Sequence, residues 1–244
     1  MQSRTTKNER GFSMIELIIA MAVTLTITGL ATALLASRFN ARSREDRKSD
    51  AIADVQRALN IMTREISNSG LKLPADLPNI STNGIVAGDS NNESLRVVSN
   101  LNGMPDSANG YFEDTDVTDT DEDVKFLMYI DEALGQRYIV RYEKNGTNQT
   151  TVLANRIDSL VFRYYDEKVT YATTVNADGE ADITSVVNAL GTTENEVPAG
   201  SAKFIVIAVG VTLPAVGASG TNGYQPQTQI TLTSDVVLRN SIVY

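Results

Sequence analysis

From Leu17 to Ala36, twenty consecutive residues carry no formal charge, and a helix of about that length crosses the hydrocarbon core of a bilayer. The run is read as a membrane span. A cleaved secretory signal is the alternative, with Ala31, Ala33 and Ala36 as small residues near its far end. Such h-regions run to only about 7–15 residues and give way to a polar, turn-prone chain. Here the chain stays helical in pattern: Ile52, Val55, Leu59, Met62 and Ile66 fall three or four apart and form one stripe. Proline is absent before Pro74, and Gly70 in "SNSG" is a natural stop. A single helix from about Ser13 to Ser67 is predicted, on the order of 80 Å long.

The rest of the chain is bounded by what it lacks. With no cysteine and no histidine among 244 residues, disulfides, thiolate nucleophiles, Ser-His-Asp triads and the usual zinc ligand sets are excluded. The net charge of -9 is uneven, +3 over residues 1 to 68 and -12 beyond. An acidic distal domain does not suit nucleic acid, whose affinity rests on Lys and Arg. The length allows one span and one globular domain. Topology is open on charge alone, because Arg4, Lys7 and Arg10 precede the span while Arg38, Arg42, Arg44, Arg47 and Lys48 follow it.

Glu16 stands at the mouth of the span. A carboxylate inside a spanning helix costs roughly 2.5–3.5 kcal/mol and marks a functional position by default. The alternative is a residue at the helix N-terminus, favoured there by the amide dipole and reaching the interface.

A short basic leader ("RTTKNERG"), then Gly11, Phe12 and a glutamate at the fifth residue after that glycine, all opening an apolar helix, resembles the class III signal of type IV prepilins and pseudopilins. The resemblance implies that a membrane peptidase cuts after Gly11 on the cytoplasmic side and N-methylates Phe12. It also implies that Glu16 is the acid of the pattern and that the leader is cytoplasmic. "ALNIMTREISNSGLKLP" (58–74), "LANRIDSLVFRYYD" (153–166) and the terminal "VVLRNSIVY" are similar to the PilW-like minor pilins, related to the J-type pseudopilins of type II secretion. The implied organisation is a leader (1–11), a transmembrane and assembly half of the helix (12–37), an amphipathic half (38–70) and a β-rich globular domain (71–244). Implied partners are the prepilin peptidase/N-methyltransferase, major and other minor pilins, and an inner-membrane assembly platform, with no cofactor. The implied location is the inner membrane, single-pass, with the C-terminal domain periplasmic and later on the surface pilus. Many pilins close a C-terminal loop with a disulfide; this chain has no cysteine for one.

Glu16 is expected to act between chains. A trimmed Phe12 amine is the opposite charge available in hydrocarbon, and a pair costs far less than either ion alone. Thr24, Thr26, Thr28 and Gly29 weaken the helix inside the span. Local melting on assembly and close packing of small residues both remain open readings.

After Pro74 the chain reads as strands: "ESLRVVS" (93–99), "VKFLMYI" (124–130), "QRYIVRYE" (136–143), "IDSLVFRYYD" (157–166), "KFIVIAVGVTL" (203–213) and "TQITLTSDVVLRN" (228–240). "ALGQR" is read as a hairpin link, and 204–213, apolar on both faces, as central. The expected fold is α+β and type IV pilin-like, an antiparallel sheet packed on the C-terminal half of a long helix. Residues 100–123 and 170–200 match nothing in the family resemblance. Carboxylates at alternate positions make Asp119, Asp121 and Asp123 calcium candidates, with Asp178, Glu180 and Asp182 a second set. Neither loop carries both the glycine and the bidentate glutamate of an EF-hand, and a solvated acidic loop is the commoner outcome. No carboxylate sits beside a candidate nucleophile, and "GASGTNG" (217–223) lacks the lysine of a phosphate loop and reads as a flexible turn. The functional expectation is a non-enzymatic minor pilin. A secretion pseudopilin is the nearest alternative, and a membrane-anchored enzyme or sensor the alternative of another class.

Overall fold

The computed structural model describes residues 12–74, 77–102, 116–145, 149–221 and 223–241. One helix, α1, runs from Met14 to Ser67, close to the predicted limits. Nine strands follow: β1 (Ser94–Val98), β2 (Asp123–Asp131), β3 (Gln136–Glu143), β4 (Thr150–Asn155), β5 (Ser159–Tyr165), β6 (Val169–Val175), β7 (Ala181–Asn188), β8 (Phe204–Leu213) and β9 (Thr228–Val237). All pairings are antiparallel. The strands form three sheets, ordered β1-β2-β3-β4, β5-β8-β9 and β6-β7. The single sheet expected from the sequence is thus divided, and β4, β6 and β7 are additional.

The chain comprises two compact units, one of residues 1–46 with 214–227 and one of 47–213 with 228–244. In the larger unit four of the five predicted stripe residues, Val55, Leu59, Met62 and Ile66, are core and are joined by Ala58, while Ile52 is only half-buried. Each large apolar side chain so buried contributes about 1.5–3 kcal/mol. Against it lie Leu95, Val97, Phe126 and Ile139 of the four-stranded sheet and Leu160, Phe162 and Tyr164 of β5.

Strand β8 explains its own composition. Ile205, Ile207, Val209 and Val211 face the helix-side core, whereas Phe204, Val206 and Ala208 face a second core with Tyr165, Val169, Ala181 and Ile183. Alternate side chains point to opposite faces, so a strand between two cores has no polar side to show.

The helix stops as the sequence implies. Gly70 adopts φ +78°, a conformation glycine takes without steric cost, and its N–H donates to Val98 O. Here the chain crosses itself closely: Ser69 Oγ donates to Asn83 O at 2.6 Å, and Gly84 presses on Gly70. A Cβ on Gly84 would lie 2.0 Å from Gly70 N, at φ +78°. Backbone cannot yield as a flexible side chain does. Gly84→Ala is therefore expected to cost at least about 2 kcal/mol, read as a lowered urea midpoint of the detergent-solubilised chain by tyrosine fluorescence.

Candidate functional site: the N-terminal helix segment

Every residue from Phe12 to Ala36 is exposed. Ile15 and Leu25 keep 67% and 70% of their surface open, in a helix whose most apolar 18-residue window has mean hydropathy 2.2 and no burial. An apolar surface this continuous is covered in the working protein by lipid or by other chains.

The helix begins at Ser13, whose carbonyl accepts from Glu16 N at 3.0 Å and Leu17 N at 3.2 Å. Ser13 and Glu16 are spaced as in a capping box, and Glu16 lies in the first turn, where the helix dipole favours an anion. No hydrogen bond or ion pair to the Glu16 side chain exists among the described residues. Phe12 is 87% exposed at the start of the same turn. Gly11, the expected cleavage position, lies outside the described residues.

Within the span the threonines satisfy themselves. Thr24, Thr26, Thr28 and Thr32 each donate Oγ1–H to the carbonyl four residues back, Ala20, Ala22, Thr24 and Thr28, at 2.7–2.8 Å. This back-bonding slightly weakens a helix, yet leaves no hydroxyl donor unpaired in hydrocarbon. Residues 24 to 29 are helical here.

The acidic loop is built otherwise than alternating carboxylates imply. Asp123 accepts from Arg96, Nε at 2.8 Å and Nη2 at 2.6 Å. Asp121 accepts from Arg141 Nη2 at 2.5 Å, and Asp119 accepts from Asn102 Nδ2. The three candidates are engaged in three directions, since Asp121 has φ +70° and breaks the extended spacing. The second set forms the β6–β7 turn, where Asn176 Oδ1 accepts from Asp178 N and Glu180 N. Asp182 pairs with Arg163 at 2.6 Å. Among the described residues no group of three or more acidic side chains converges as a metal-ligand set.

Sequence reasoning missed the ion pairs that secure the helix and the loop. Arg141, on the core face of β3, donates to Glu65 of α1 at 2.8 Å as well as to Asp121. Burial raises the pKa of Glu65 despite the hydrogen bond and charge of Arg141. The Arg141 guanidinium is itself held above its ordinary pKa, its burial outweighed by hydrogen bonds and attraction to Glu65 and Asp121. Both shifts are upward, which favours the neutral acid at Glu65, where burial dominates, and the charged guanidinium at Arg141, which faces Glu65, Asp121 and Glu143. No short-range pattern announces a contact 76 residues apart.

A family model described as the prokaryotic N-terminal methylation motif matches residues 6–32. No curated protein matches the chain, and no solved structure does. The motif supports a type IV pilin or pseudopilin-like protein, processed by a prepilin peptidase and associated with the membrane. The N-terminal apolar helix, the one such helix among the described residues, fits an inner-membrane anchor.

Two outcomes test the Glu65–Arg141 pair. Arg141→Leu is expected to cost about 2–3 kcal/mol, near the low end for removing one partner of a buried pair because Asp121 stays partly hydrated. A carboxyl whose folded pKa is raised binds its proton more tightly when folded. Its ionisation therefore costs stability as pH rises from the ordinary value of 4.5 through the raised one. Relative to Glu65→Gln, the native chain should lose stability over that window and stay level above it, in urea midpoints measured against pH.

Proposed function

We propose that this chain is a minor pilin of the PilW-like kind, which joins or primes a type IV pilus after leader removal. The observation that carries the reading is a carboxylate, Glu16, with no partner among the described residues, on an exposed apolar helix within a prepilin-type motif. In this reading the peptidase cleaves after Gly11 and methylates the new amine of Phe12. The leader is cytoplasmic and the β-rich domain periplasmic until assembly carries it to the cell surface.

Glu16 then meets the Phe12 amine of a neighbouring pilin. Two opposite charges brought together in hydrocarbon cost far less than either apart. A subunit out of register leaves both ions bare, so the pair sets the stagger of helices. The role is structural and needs no catalytic residue or cofactor. Major and other minor pilins and the inner-membrane assembly platform are the partners. The same motif favours equally a J-type pseudopilin of a type II secretion system; the kind of filament from which the chain is recovered separates the two.

N-terminal mass spectrometry of the protein from sheared filaments and membranes is expected to find N-methylated Phe12 as the first residue. Gly11→Ala should retain residues 1–11 and stay out of filaments. Glu16→Ala should be processed yet recovered in filaments at least about tenfold less, a modest share of what an uncompensated ion in hydrocarbon costs. Normal incorporation of Glu16→Ala would refute the charge pairing. A native chain that is fully functional with its leader attached would refute the pilin assignment.

A further inference from the structure

The connection between β8 and β9 is fourteen residues long, "PAVGASGTNGYQPQ" (214–227), and carries no charge. It forms an arm with a ladder of its own, in which Val216 and Gln225 exchange both backbone hydrogen bonds at 2.9 Å. Its tip is a tight turn, closed by Thr221 N–H donating to Ala218 O at 3.1 Å. Residue 222 lies outside the described residues.

The arm runs along the helix toward the span. At its base Arg44 Nη1 donates to Pro226 O at 2.5 Å. Further along, a Cβ on Gly217 would lie 3.4 Å from Asn40 Nδ2. Further still, a Cβ on Gly223 would lie 2.7 Å from Ser37 Cα. The successive helix partners are residues 44, 40 and 37, about 10 Å of axial travel. Gly223, at φ +84°, meets Ser37, where the uncharged run ends before Arg38. The exposed tip, Ala218 to Thr221, lies beyond the Val216–Gln225 pair in the direction of that run.

The helix beside the arm has the composition of a membrane–water boundary. Between Leu17 and Arg44 the only charged residues are Arg38, Arg42 and Arg44, and the next carboxylate is Glu45. Arg38 and Arg42 are exposed, Arg42 with Asp46 3.9 Å away at an open site. Phe39, 62% exposed, and Tyr224 of the arm add aromatic rings of the kind that settle at headgroup depth. The arm contributes no carboxylate to repel a phosphate.

We propose that the β8–β9 arm is a bilayer-surface element whose partner is the layer of phospholipid headgroups. The tip of the arm rests among them, and Arg38 and Arg42 meet their phosphates. The arm bears on the helix where it leaves hydrocarbon and so fixes how deeply α1 sits. Glycine at 223 is required because the arm must lie flat on the helix, glycine at 217 suits its φ of +85°, and the absence of charge suits a segment at the interface. This rests on the membrane-anchor reading of the span and not on pilus assembly.

The chain has no cysteine, so single cysteines report without background. The full-length protein is reconstituted in phosphatidylcholine vesicles, with and without phosphatidylglycerol, and a fluorophore is placed in turn at Thr28→Cys, Ser219→Cys and Asn60→Cys. Asn60 lies roughly 36 Å along the helix beyond Ala36. Nitroxide on the headgroup should quench the label at 219 roughly threefold or more above that at 60, more so with anionic lipid. Nitroxide deep on the acyl chain should quench the label at 28. Adding Gly223→Val to Ser219→Cys should lift the arm and remove most of the quenching at 219. Equal quenching at 219 and 60 overturns the proposal, as does quenching at 219 that survives Gly223→Val. No quenching at 28 overturns the membrane anchor, and the arm proposal with it.

Discussion

The interaction on which the rest of this structure depends is one the chain does not make with itself. The segment from Phe12 to Ala36 finds no cover among the described residues. Each large apolar side chain left in water forgoes about 1.5–3 kcal/mol, and the segment has many. Solvation of that surface must come from outside, from lipid first and from other chains if the subunit is extracted. The larger unit consequently needs a complete core of its own. It takes from α1 the stripe Val55 to Ile66, and the rest of that core comes from the strands and from connecting residues such as Ile85, Ile157, Ala202 and Leu238.

Carboxylates show the same division. Two buried acids are provided for: Glu122, 1% exposed, accepts from Leu101 N and Asp119 N, and Asp123 is held by Arg96, whereas Asp158 Oδ2 is buried without a hydrogen-bond partner. Asp89, on the other side of Arg96, is held below the ordinary carboxylate range by that hydrogen bond. Surface acids without partners face water, which solvates them. Glu16 belongs to neither group, because the surface around it is apolar and no partner reaches it among the described residues. Its setting, as a carboxylate in the first turn of an exposed apolar helix, is thus unlike that of Glu122 or Asp123.

Elements that declare themselves over short stretches were legible in the sequence. The stripe from Val55 to Ile66, the stop at Gly70 and the alternation of Leu160, Phe162 and Tyr164 depend only on local periodicity. So does the two-faced apolarity of β8. Strand β4 was missed because "TTVLAN" is short, follows an Asn- and Thr-rich stretch and shows no clean alternation. The β6–β7 hairpin was missed because its threonines and its "NADGE" turn resemble a polar insertion. The N-terminal motif over residues 6–32 was readable because its signal is contiguous. The arrangement of Asp119, Asp121 and Asp123 was not legible from their spacing, because left-handed backbone at Asp121 turns neighbouring side chains apart. The seating of Gly223 on Ser37 joins residues 186 apart, and only the folded chain reveals it.

A chain without cysteine must secure its C-terminal segment by other means. Strand β9 pairs with β8 in unbroken register from Phe204↔Val237 to Leu213↔Thr228. Leu238 N then donates to Lys203 O at 2.9 Å, and the Leu238 side chain is fully buried. Beyond it, Asn240 Nδ2 donates to Ser69 O at 3.0 Å, with Asn68 O at 3.4 Å, tying the chain's far end to the end of α1. These bonds engage carbonyls at the helix terminus that have no partner within the helix. A hydrogen bond contributes about 1 kcal/mol net and acts only in the folded state, whereas a disulfide also restricts the unfolded chain. The closure at Ser69 and Asn240 therefore holds only while the core beneath it holds, which makes Met62, Ile66 and Leu238 the residues that do the work a cross-link would otherwise share.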